Sequence, residues 1–422
     1  MHKDQRTLVV GTTPDYVDWI RTSRPGQALF LTRPHLRHGA TETPPLSNEE
    51  ILEDMSDTAT TLASLTTHLK RWGQTLSGVV AFDCESLLPA ARLAKALGLT
   101  FPSPEAVCIC RNKIATRRVW KHAGLPTPEM HALTGPCQAS DCFAHTPAVL
   151  KPAFGSGSEL VFYCTDAPSR RRAFQCIARG LSKRHADPLY AMRRPPSEAC
   201  ILGEAFAAGP EFSCDLLLSP QKAQIIRLTE KLRDPALPFG TAMAYLLQDR
   251  IPERLKRSEL EALFTKAAHT LGLTSGIAMV DFILTEKGPL LLEMTPRPGG
   301  DCLPWLIRNA LGIDTLTLAL DAADGQCRIP TFRPPESPVA GLRLHATQKG
   351  RISGIVSAPL LSDPRVRALH LTKTLGDIIN LPPEDYDSWV LGHVIFTPQN
   401  SHSVTEECIN LKHRLKWVFE TP

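Results

Sequence analysis

Two acidic residues, Asp281 and Glu293, lie in neighbouring apolar segments that are spaced like the strands of a hairpin. The segments are separated by Glu286-Lys287-Gly288. A three-residue turn that ends in glycine is a common hairpin connection, and here it pairs Thr285 with Pro289. Counting outward from that pair places Asp281 opposite Glu293. The apolar residues that fall on the other face, and therefore on the predicted core side, are Val280, Phe282, Leu284, Leu290, Leu292 and Met294.

Two carboxylates that face each other across a pair of strands need a compensating charge. Their Cβ atoms would be about 5 Å apart, a distance at which like charges destabilise a sheet. A Mg²⁺ ion is the simplest partner for Asp281 and Glu293, because it prefers one or two carboxylates together with phosphate oxygens. The alternative is that one acid pairs with Arg297 or with a distant lysine, and the pattern does not decide between the two. Thr295 falls on the same face as the acids.

Arg297, Gly299 and Gly300 follow the second strand of this hairpin directly. A guanidinium offers a fork of donors that fits a carboxylate or a phosphate. The paired glycines allow close approach of the backbone to a ligand. The group therefore predicts an anion site, and a surface arginine in a turn is the simpler alternative.

A second candidate site combines a lysine at a strand end with a Gly/Ser loop. Lys151 ends the apolar run 148–151, and the loop consists of Gly155, Ser156, Gly157 and Ser158. Backbone N–H groups of such a loop can cradle phosphates, with the lysine as a point charge. The loop is not a Walker motif, and an ordinary hairpin turn is the alternative interpretation.

A third candidate site contains two acids around a Gly-Pro step. Glu204 lies within the predicted strand 201–206, and Glu211 follows Gly209-Pro210. A strand-end carboxylate can accept a hydrogen bond from a ribose hydroxyl, whereas a solvated turn acid is the alternative for each residue. Lys231 forms part of a possible substrate wall before the loop 234–239, or else a surface ion pair with its neighbour Glu230.

The composition excludes several classes of protein. The chain of 422 residues contains 47 Lys and Arg and 43 Asp and Glu, a balance that does not predict a nucleic-acid partner. The sequence contains no run of 18 apolar residues, so no membrane span is predicted. The apolar stretch Leu8–Val10 is too short for a signal peptide. The twelve scattered cysteines, with no C-x-x-C pair, are typical of reduced thiols and predict a cytoplasmic location.

The predicted elements suggest three domains. Short strands alternate with helices in residues 1–106, which predicts a Rossmann-like parallel α/β domain. Residues 107–330 are richer in strands. A linker that contains Pro330, Pro334, Pro335 and Pro338 then leads to a small α+β domain over residues 331–422. The elements predicted on the way include helices over 51–72, 89–97 and 404–417 and strands over 159–164 and 224–228.

The order of the candidate residues resembles the ATP-grasp superfamily of carboxylate–amine ligases. That order is Lys113, then Lys151 with its loop, Glu204 and Glu211, Asp281 and Glu293, and finally Arg297. Residues 110–128 look like the segment that opens the ATP-grasp domain, and residues 78–101 look like the end of the domain that precedes it. The chain is most similar to the L-amino acid ligase branch. The resemblance implies an ATP-grasp fold, whose two subdomains hold ATP, between the Rossmann-like domain and a C-terminal domain that closes the active site.

The resemblance also implies roles for individual residues. Lys113 and Lys151 would contact the ATP phosphates under the loop Gly155–Ser158, and Glu211 would hold the ribose. Glu204 would lie beside adenine, whose edge the backbone of Ala205 and Ala207 would read. Asp281, Glu293 and Thr295 would bind Mg²⁺, or Mn²⁺ in its place, although the family usually has Asn where this chain has Thr295. Arg297 would hold the substrate carboxylate and the acyl phosphate, near Gly299, Gly300 and Lys231.

The function implied is ATP-dependent formation of an amide bond between a small carboxylate and an amine, with an amino acid as substrate and ADP and phosphate as products. We expect the chain to form a homodimer, and we expect no nucleic-acid or membrane partner. Alternatives within the superfamily are a purine-pathway ligase and a biotin-carboxylase-like enzyme. Against the latter, Arg297 is followed by Pro-Gly-Gly-Asp rather than by the run that supplies that branch's base. A non-catalytic ATP-binding protein is the alternative from a different class.

Overall fold

The computed structural model of the protein describes residues 4–38, 40–184, 187, 189–190, 200–248, 251–326, 335–399 and 403–420. Within these residues the strands form sheets of four, eight, three and four strands. The first sheet is parallel. The candidate acids and Lys151 lie in antiparallel strand pairs of the eight-stranded sheet and of the second four-stranded sheet. The predicted combination of an α/β part with an α+β part is therefore confirmed.

The N-terminal sheet has the alternation of strands and helices that the sequence predicts. Its elements are β1 (Asp4–Val10), α1 (Pro14–Ser23), β2 (Ala28–Thr32), α2 (Pro34–Arg37), β3 (Glu50–Leu52), α3 (Thr58–Trp72), β4 (Gln74–Val80) and α4 (Leu87–Leu97). The strand order β3-β2-β1-β4 puts β1 in the middle, and its residues 8–10 are fully buried. The helix predicted from residue 51 begins only at Thr58, because the side chain of Asp57 accepts a hydrogen bond from the amide of Thr60 and caps it there.

The four-stranded antiparallel sheet carries Lys151 and Glu204. The elements of this segment are α5 (Pro104–Arg111), α6 (Lys113–His122), β5 (Met130–Leu133), α7 (Pro136–Asp141), β6 (Ala148–Pro152), β7 (Phe162–Cys164), α8 (Ala167–Lys183) and β8 (Ile201–Ala205). Asn112 caps α6, so the helix begins at Lys113. The strand predicted from residue 159 begins at Phe162. Ser158 and Leu160 both have positive φ angles, which a strand does not allow.

The eight-stranded sheet carries the remaining candidate acids. Its central segment consists of β9 (Glu211–Leu218), β10 (Ala223–Arg233), β11 (Ala242–Leu247), α9 (Arg257–Thr270), β12 (Gly276–Thr285), β13 (Gly288–Thr295), α10 (Leu303–Leu311) and α11 (Thr315–Ala323). The sequence predicts that β10 ends at residue 228. In the structure β10 pairs with β9 as far as Lys231 and with β11 as far as Arg233. Its polar end remains a strand because these two cations face acids, as described below.

The hairpin formed by β12 and β13 contains the predicted acidic pair, although the predicted turn is wrong. Thr285 pairs with Gly288 rather than with Pro289, so the connection has two residues. A bulge then shifts the register between Asp281 and Phe282, which restores the pairing of Asp281 with Glu293. The core side of β13 changes accordingly. Leu291 is fully buried in place of Leu290 and Leu292, which are only partly buried.

The C-terminal part of the chain extends the same eight-stranded sheet. Its elements are β14 (Val339–His345), β15 (Gly350–Val356), α12 (Ala358–Leu361), β16 (Val366–Leu371), β17 (Ile378–Ile379), β18 (Val390–Phe396), α13 (Val404–Lys412) and β19 (Lys416–Glu420). Strands β14, β18 and β16 follow β11 in the sheet order. The helix predicted to run to residue 417 ends at Lys412, because residues 416–420 alternate between exposed and partly buried positions, as an edge strand does.

The division into three domains stays a prediction. Its first boundary, after residue 106, falls inside α5. Its second boundary, after residue 330, lies outside the described residues together with Pro330 and Pro334. The hydrogen bonds between β11 and β14 join the sheet across that second boundary.

Candidate functional site

The structure brings most of the predicted residues together in one cleft between the eight-stranded sheet and the four-stranded antiparallel sheet. The predicted residues that line it are Lys113, Lys151, Gly155, Ser156, Gly157, Ser158, Glu204, Ala205, Ala207, Glu211, Lys231, Asp281 and Glu293. The remaining walls are mostly apolar and include Val149, Phe206, Phe239, Ile283 and Leu292. The cleft therefore offers both a charged region and an apolar slot.

Glu204 lies beneath the charged region as the partner of two cations. Its side chain is 3% exposed, with Lys151 Nζ at 2.5 Å and Arg117 Nε at 2.8 Å from its two carboxylate oxygens. Arg117 also donates to the carbonyl of Leu292. Both oxygens of Glu204 are thus paired with buried cations, so the interpretation as a solvated turn acid is wrong. Glu204 orients Lys151 instead.

Replacing Glu204 with glutamine should lower the free energy of unfolding by about 3 kcal/mol at pH 7, because Arg117 would stay buried without its counter-charge. Burial raises the pKa of Glu204, but Arg117 and Lys151 outweigh burial and lower the pKa below its ordinary value. A lowered pKa stabilises the fold above the unfolded-state value of about 4.3, and that contribution is lost as the pH falls through the folded-state value. The difference between wild type and variant should therefore shrink below about pH 4.3, as measured by urea unfolding at a series of pH values.

The control for this prediction is Glu105→Gln, which removes an exposed acid that pairs with Lys95. It should change stability by less than about 0.5 kcal/mol at any of these pH values. If the difference in free energy of unfolding between wild type and Glu204→Gln stayed constant down to pH 2, the ionised Glu204 would not be the source of that difference.

Lys231 joins two of the cleft acids. Its Nζ lies 2.8 Å from Glu211 Oε1 and 2.5 Å from Asp281 Oδ2, and Arg233 donates to the other oxygen of Glu211. Burial lowers the pKa of Lys231, but Asp281 and Glu211 outweigh burial and raise the pKa well above its ordinary value. The surface pair with Glu230 is therefore wrong. Glu230 instead accepts a hydrogen bond from Gln248.

Asp281 and Glu293 face each other as predicted, and one oxygen has no protein partner. Asp281 is 5% exposed, and its Oδ1 is buried without a hydrogen bond. Lys113 Nζ lies 3.5 Å from Glu293 Oε2. Burial raises the pKa of Asp281, and Lys231 offsets this only in part. The alternative that a distant lysine compensates an acid is confirmed, because Lys231 pairs with Asp281 and Lys113 with Glu293. Arg297 pairs with neither acid, so that form of the alternative is wrong.

The donor set at this pair fits a hard cation that is shared with a ligand. An unpaired buried carboxylate oxygen opposite a second carboxylate, with Thr295 nearby, offers only oxygen ligands. Among the described residues no group of three or more His, Cys, Asp and Glu side chains could hold a metal ion. A Mg²⁺ ion here would thus need oxygens from a bound phosphate, which is the arrangement it prefers.

The loop Gly155–Ser158 forms one wall of the cleft. Gly155 has a φ of 126° and Gly157 a φ of 65°, which only glycine adopts without strain. Lys113 Nζ donates to the carbonyl of Gly155 at 3.2 Å, and Ser158 Oγ donates to the carbonyl of Gly240 at 2.7 Å. The loop also connects two paired strands, β6 and β7. It is therefore both a hairpin connection and part of the wall of the cleft.

Arg297 lies in a chamber that adjoins the cleft. This chamber shares Lys113, Lys231, Asp281 and Glu293 with the cleft. Arg297 is held by Cys84, whose Sγ accepts from Nε at 3.4 Å and from Nη2 at 3.2 Å. The interpretation as a surface arginine in a turn is therefore wrong. Cys84 follows strand β4, and no sequence signal marked it.

A buried ion pair fixes the backbone that follows Arg297. Asp215 and Arg227 are both fully buried, with two contacts of 3.0 Å between their charged groups. Asp215 Oδ1 also accepts from the amide of Gly299 at 2.8 Å. A Cβ atom at Gly299 would lie 2.4 Å from Arg227 Nη2, so this position requires glycine. The sequence did not reveal either partner, because a charged residue inside a strand usually indicates an exposed face.

No helix in the described part of the chain is both long and apolar enough to cross a membrane.

Comparison with known proteins finds a family match over the segment that carries most of this site. Residues 144–304 match the model of the ATP-grasp domain. The chain is 28% identical over 265 residues to carnosine synthase 1 of Homo sapiens, a match covering 60% of this chain and 31% of that protein. It is 26% identical over 261 residues to the D-alanine–D-alanine ligase of Acidovorax ebreus, covering 57% of this chain and 73% of the ligase.

The fold comparison agrees with these matches. The structure of the L-amino acid ligase from Bacillus licheniformis superposes with a TM-score of 0.76 over 99% of both chains, at 18% sequence identity. This chain spans 54% and 31% of the length of two curated relatives that it matches, one of them the human protein.

Proposed function

We propose that this chain, which contains an ATP-grasp domain and is homologous to ligases that form C–N bonds, is an ATP-dependent carboxylate–amine ligase. It would activate the carboxylate of an amino acid as an acyl phosphate and join it to an amine. The products would be ADP, phosphate and an amide.

The observation that carries this proposal is the connection between the cleft and the chamber. Both are lined by Lys113, Lys231, Asp281 and Glu293, and only the chamber contains Arg297. A nucleotide in the cleft and a carboxylate on Arg297 would therefore meet at the acidic pair. This is the geometry that direct transfer of a phosphoryl group requires.

The walls of the cleft support an orientation for ATP. The apolar slot with Val149 and Leu292 suits adenine, whose edge would meet the backbone of Ala205 and Ala207. Glu211 would hold the ribose while keeping its contact with Lys231. The phosphates would then lie at the opposite, charged region, where Lys113, Lys151 and the loop Gly155–Ser158 supply cations and backbone donors.

Asp281, Glu293 and Thr295 would hold Mg²⁺, or Mn²⁺ in its place, together with phosphate oxygens. The metal supplies positive charge that offsets the charge on the phosphates during transfer. Thr295 offers a hydroxyl where an amide would reach further, so the two carboxylates would contribute most of the binding.

The reaction would proceed in two steps. A carboxylate oxygen held by Arg297 attacks the γ-phosphorus, the bond to the bridging oxygen breaks, and ADP leaves. An uncharged amine then attacks the acyl carbon, the bond to the phosphate oxygen breaks, and phosphate leaves while the nitrogen loses its proton to solvent or to phosphate. Lys151 and Arg297 would favour both steps by fixed positive charge.

Product analysis with Mg²⁺-ATP tests this function. A panel of amino acids would be offered alone, in pairs, and with hydroxylamine, a small nucleophile that converts acyl phosphates to hydroxamates. We expect ADP, phosphate and a hydroxamate with particular carboxylates, and an amide with particular pairs. AMP and pyrophosphate would contradict acyl-phosphate chemistry, and bicarbonate-dependent turnover would favour a carboxylase. ATP binding without turnover on the whole panel would favour a non-catalytic ATP-binding protein.

Two further expectations accompany the proposed function. The buried thiols of Cys110, Cys214 and Cys302 support the cytoplasm as the compartment, because such thiols persist in reducing surroundings. The homodimer stays a prediction, which sedimentation of the purified chain would test.

A further inference from the structure

A second cavity continues from the chamber on the side away from the nucleotide cleft. It shares Gly300, Asp301 and Val390 with the chamber and has no lining residue in common with the cleft. Its volume is about 680 Å³, within the range of sites for small molecules. The loops after β1 and β2 form one side, and strands β16 and β18 form the other. The chamber with Arg297 thus lies between two separate binding spaces.

The charges around this cavity favour a cation. The carboxylates that line it are Asp15, Glu42, Asp83, Asp301 and Asp377, whereas Lys373 is the only lysine or arginine among the lining residues that the structure describes. Asp301 stands at the junction with the chamber and pairs with Arg343. Such a field attracts an ammonium group and repels a second carboxylate.

Flat rings form one wall of the cavity. Trp305 stacks on His370, with ring centres 4.8 Å apart and planes inclined by 28°. Trp305 also lies 5.9 Å from His393, and Asp15 is 3.6 Å from the Nε2 atom of His370. Tyr16 and Phe82, which also line the cavity, meet edge to face at 6.1 Å. A planar side chain fits against such surfaces better than a branched aliphatic one.

His393 provides a polar group that no protein atom satisfies. It is 4% exposed and lines the cavity, and its Nε2 atom is buried without a hydrogen bond. Burial, His370 and Arg343 lower the pKa of His393 to about 3, so the ring is neutral at pH 7 and offers one donor and one acceptor. An unpaired buried polar atom is costly, and a ligand that pairs with it gains affinity.

We propose that this cavity binds the amine substrate, as a primary amine whose side chain is planar and carries a hydrogen-bonding group. The inference rests on the proposed function. The amine group would be held at the junction by Asp15 and Asp301, and the side chain would lie against Trp305 within reach of His393. The acyl phosphate formed at Arg297 would then meet its nucleophile from the side opposite to ATP.

The test compares His393→Phe with wild type in two assays. Formation of hydroxamate from the carboxylate substrate, ATP and hydroxylamine measures activation without using the cavity. Amide formation with alanine, histidine and tyrosine as amine probes measures the use of the cavity. We expect unchanged hydroxamate formation and a rise of about tenfold in the KM for histidine or tyrosine, because one buried hydrogen bond is lost. The KM for alanine should stay the same.

Two further variants complete the test. His345→Phe is the matched control, since His345 is also 4% exposed with an unpaired Nε2 but lies against Trp389 outside the cavity. It should change neither assay. Asp15→Asn, at a less buried position, should raise the KM for all three amines and leave hydroxamate formation intact, whether or not His393→Phe folds.

Three results would overturn the inference. An equal loss of hydroxamate and amide formation in His393→Phe and Asp15→Asn would assign the cavity to the carboxylate. Unchanged KM values for every amine in both variants would exclude the cavity from binding. A wild-type chain that makes no hydroxamate from any carboxylate would refute the proposed function itself, and the inference with it.

Discussion

Replacing Glu293 with glutamine should lower ATP turnover about a thousandfold and leave the fold intact. The change removes one of the two facing carboxylates, and with it the charge that would hold a divalent cation against the phosphates, a contribution of several kcal/mol to the barrier. It also removes the counter-charge of Lys113, which lies 3.5 Å away. The side chain of Glu293 is 34% exposed, so the cost to stability should be small. Release of ADP at saturating ATP, together with thermal unfolding, measures both effects.

The control for this prediction is Glu261→Gln. Glu261 also accepts hydrogen bonds, from Arg257 and from the amide of Ile225, but lies outside the cleft and both cavities. It should retain turnover within about threefold of wild type, a change of under 1 kcal/mol. Turnover close to wild type in Glu293→Gln would remove the acidic pair from the proposed mechanism. Partial recovery at high Mg²⁺ concentration would support its role as a metal ligand.

Replacing Arg227 with methionine should lower the free energy of unfolding by about 4 kcal/mol, because the carboxylate of Asp215 would remain fully buried without a counter-charge. The same change should lower hydroxamate formation, because Arg227 would no longer hold the Asp215 carboxylate that fixes the amide of Gly299 beside Arg297. Urea unfolding and the hydroxylamine assay measure the two effects separately.

The double variant Arg227→Met/Asp215→Leu separates stability from positioning. Removing both charges leaves no buried ion, so much of the lost stability should return. Activity should stay low, because Gly299 would lose its acceptor when Asp215 is replaced. If activity recovered together with stability, the ion pair would be a structural feature of the sheet with no effect on the loop.

The hairpin of Asp281 and Glu293 shows how far a sequence pattern leads. Alternating apolar and acidic residues predict the facing pair correctly, because one face of the hairpin must be buried. The same pattern gives the wrong turn and the wrong core residue, since a bulge moves Leu292 out of register and into the wall of the cleft. A bulge changes no residue type, so only the packing of the folded chain reveals it.

The residues that sequence reasoning missed act through distant contacts. Arg117 reaches Glu204 across 87 positions, and Cys84 meets Arg297 across 213. Arginine and cysteine occur in many structural environments, so neither residue type marks a site. A sequence motif contains only residues that are close along the chain. The order of the candidate lysines and acids was informative because the fold brings them to one cleft. Their positioning partners carry no comparable spacing.

The pairing of Lys231 with Glu211 and Asp281 has a consequence for ligand binding. The acids of the cleft have counter-ions within the chain itself, and these lysines offset the repulsion between the carboxylates. If a nucleotide and its metal bind as proposed, their binding would be an exchange of ions, in which Lys231 would share its acids with the metal and gain phosphate oxygens in return. Because one lysine would take part in both exchanges, the affinities for metal and nucleotide would be thermodynamically coupled, and each ligand would change the affinity for the other by the same factor.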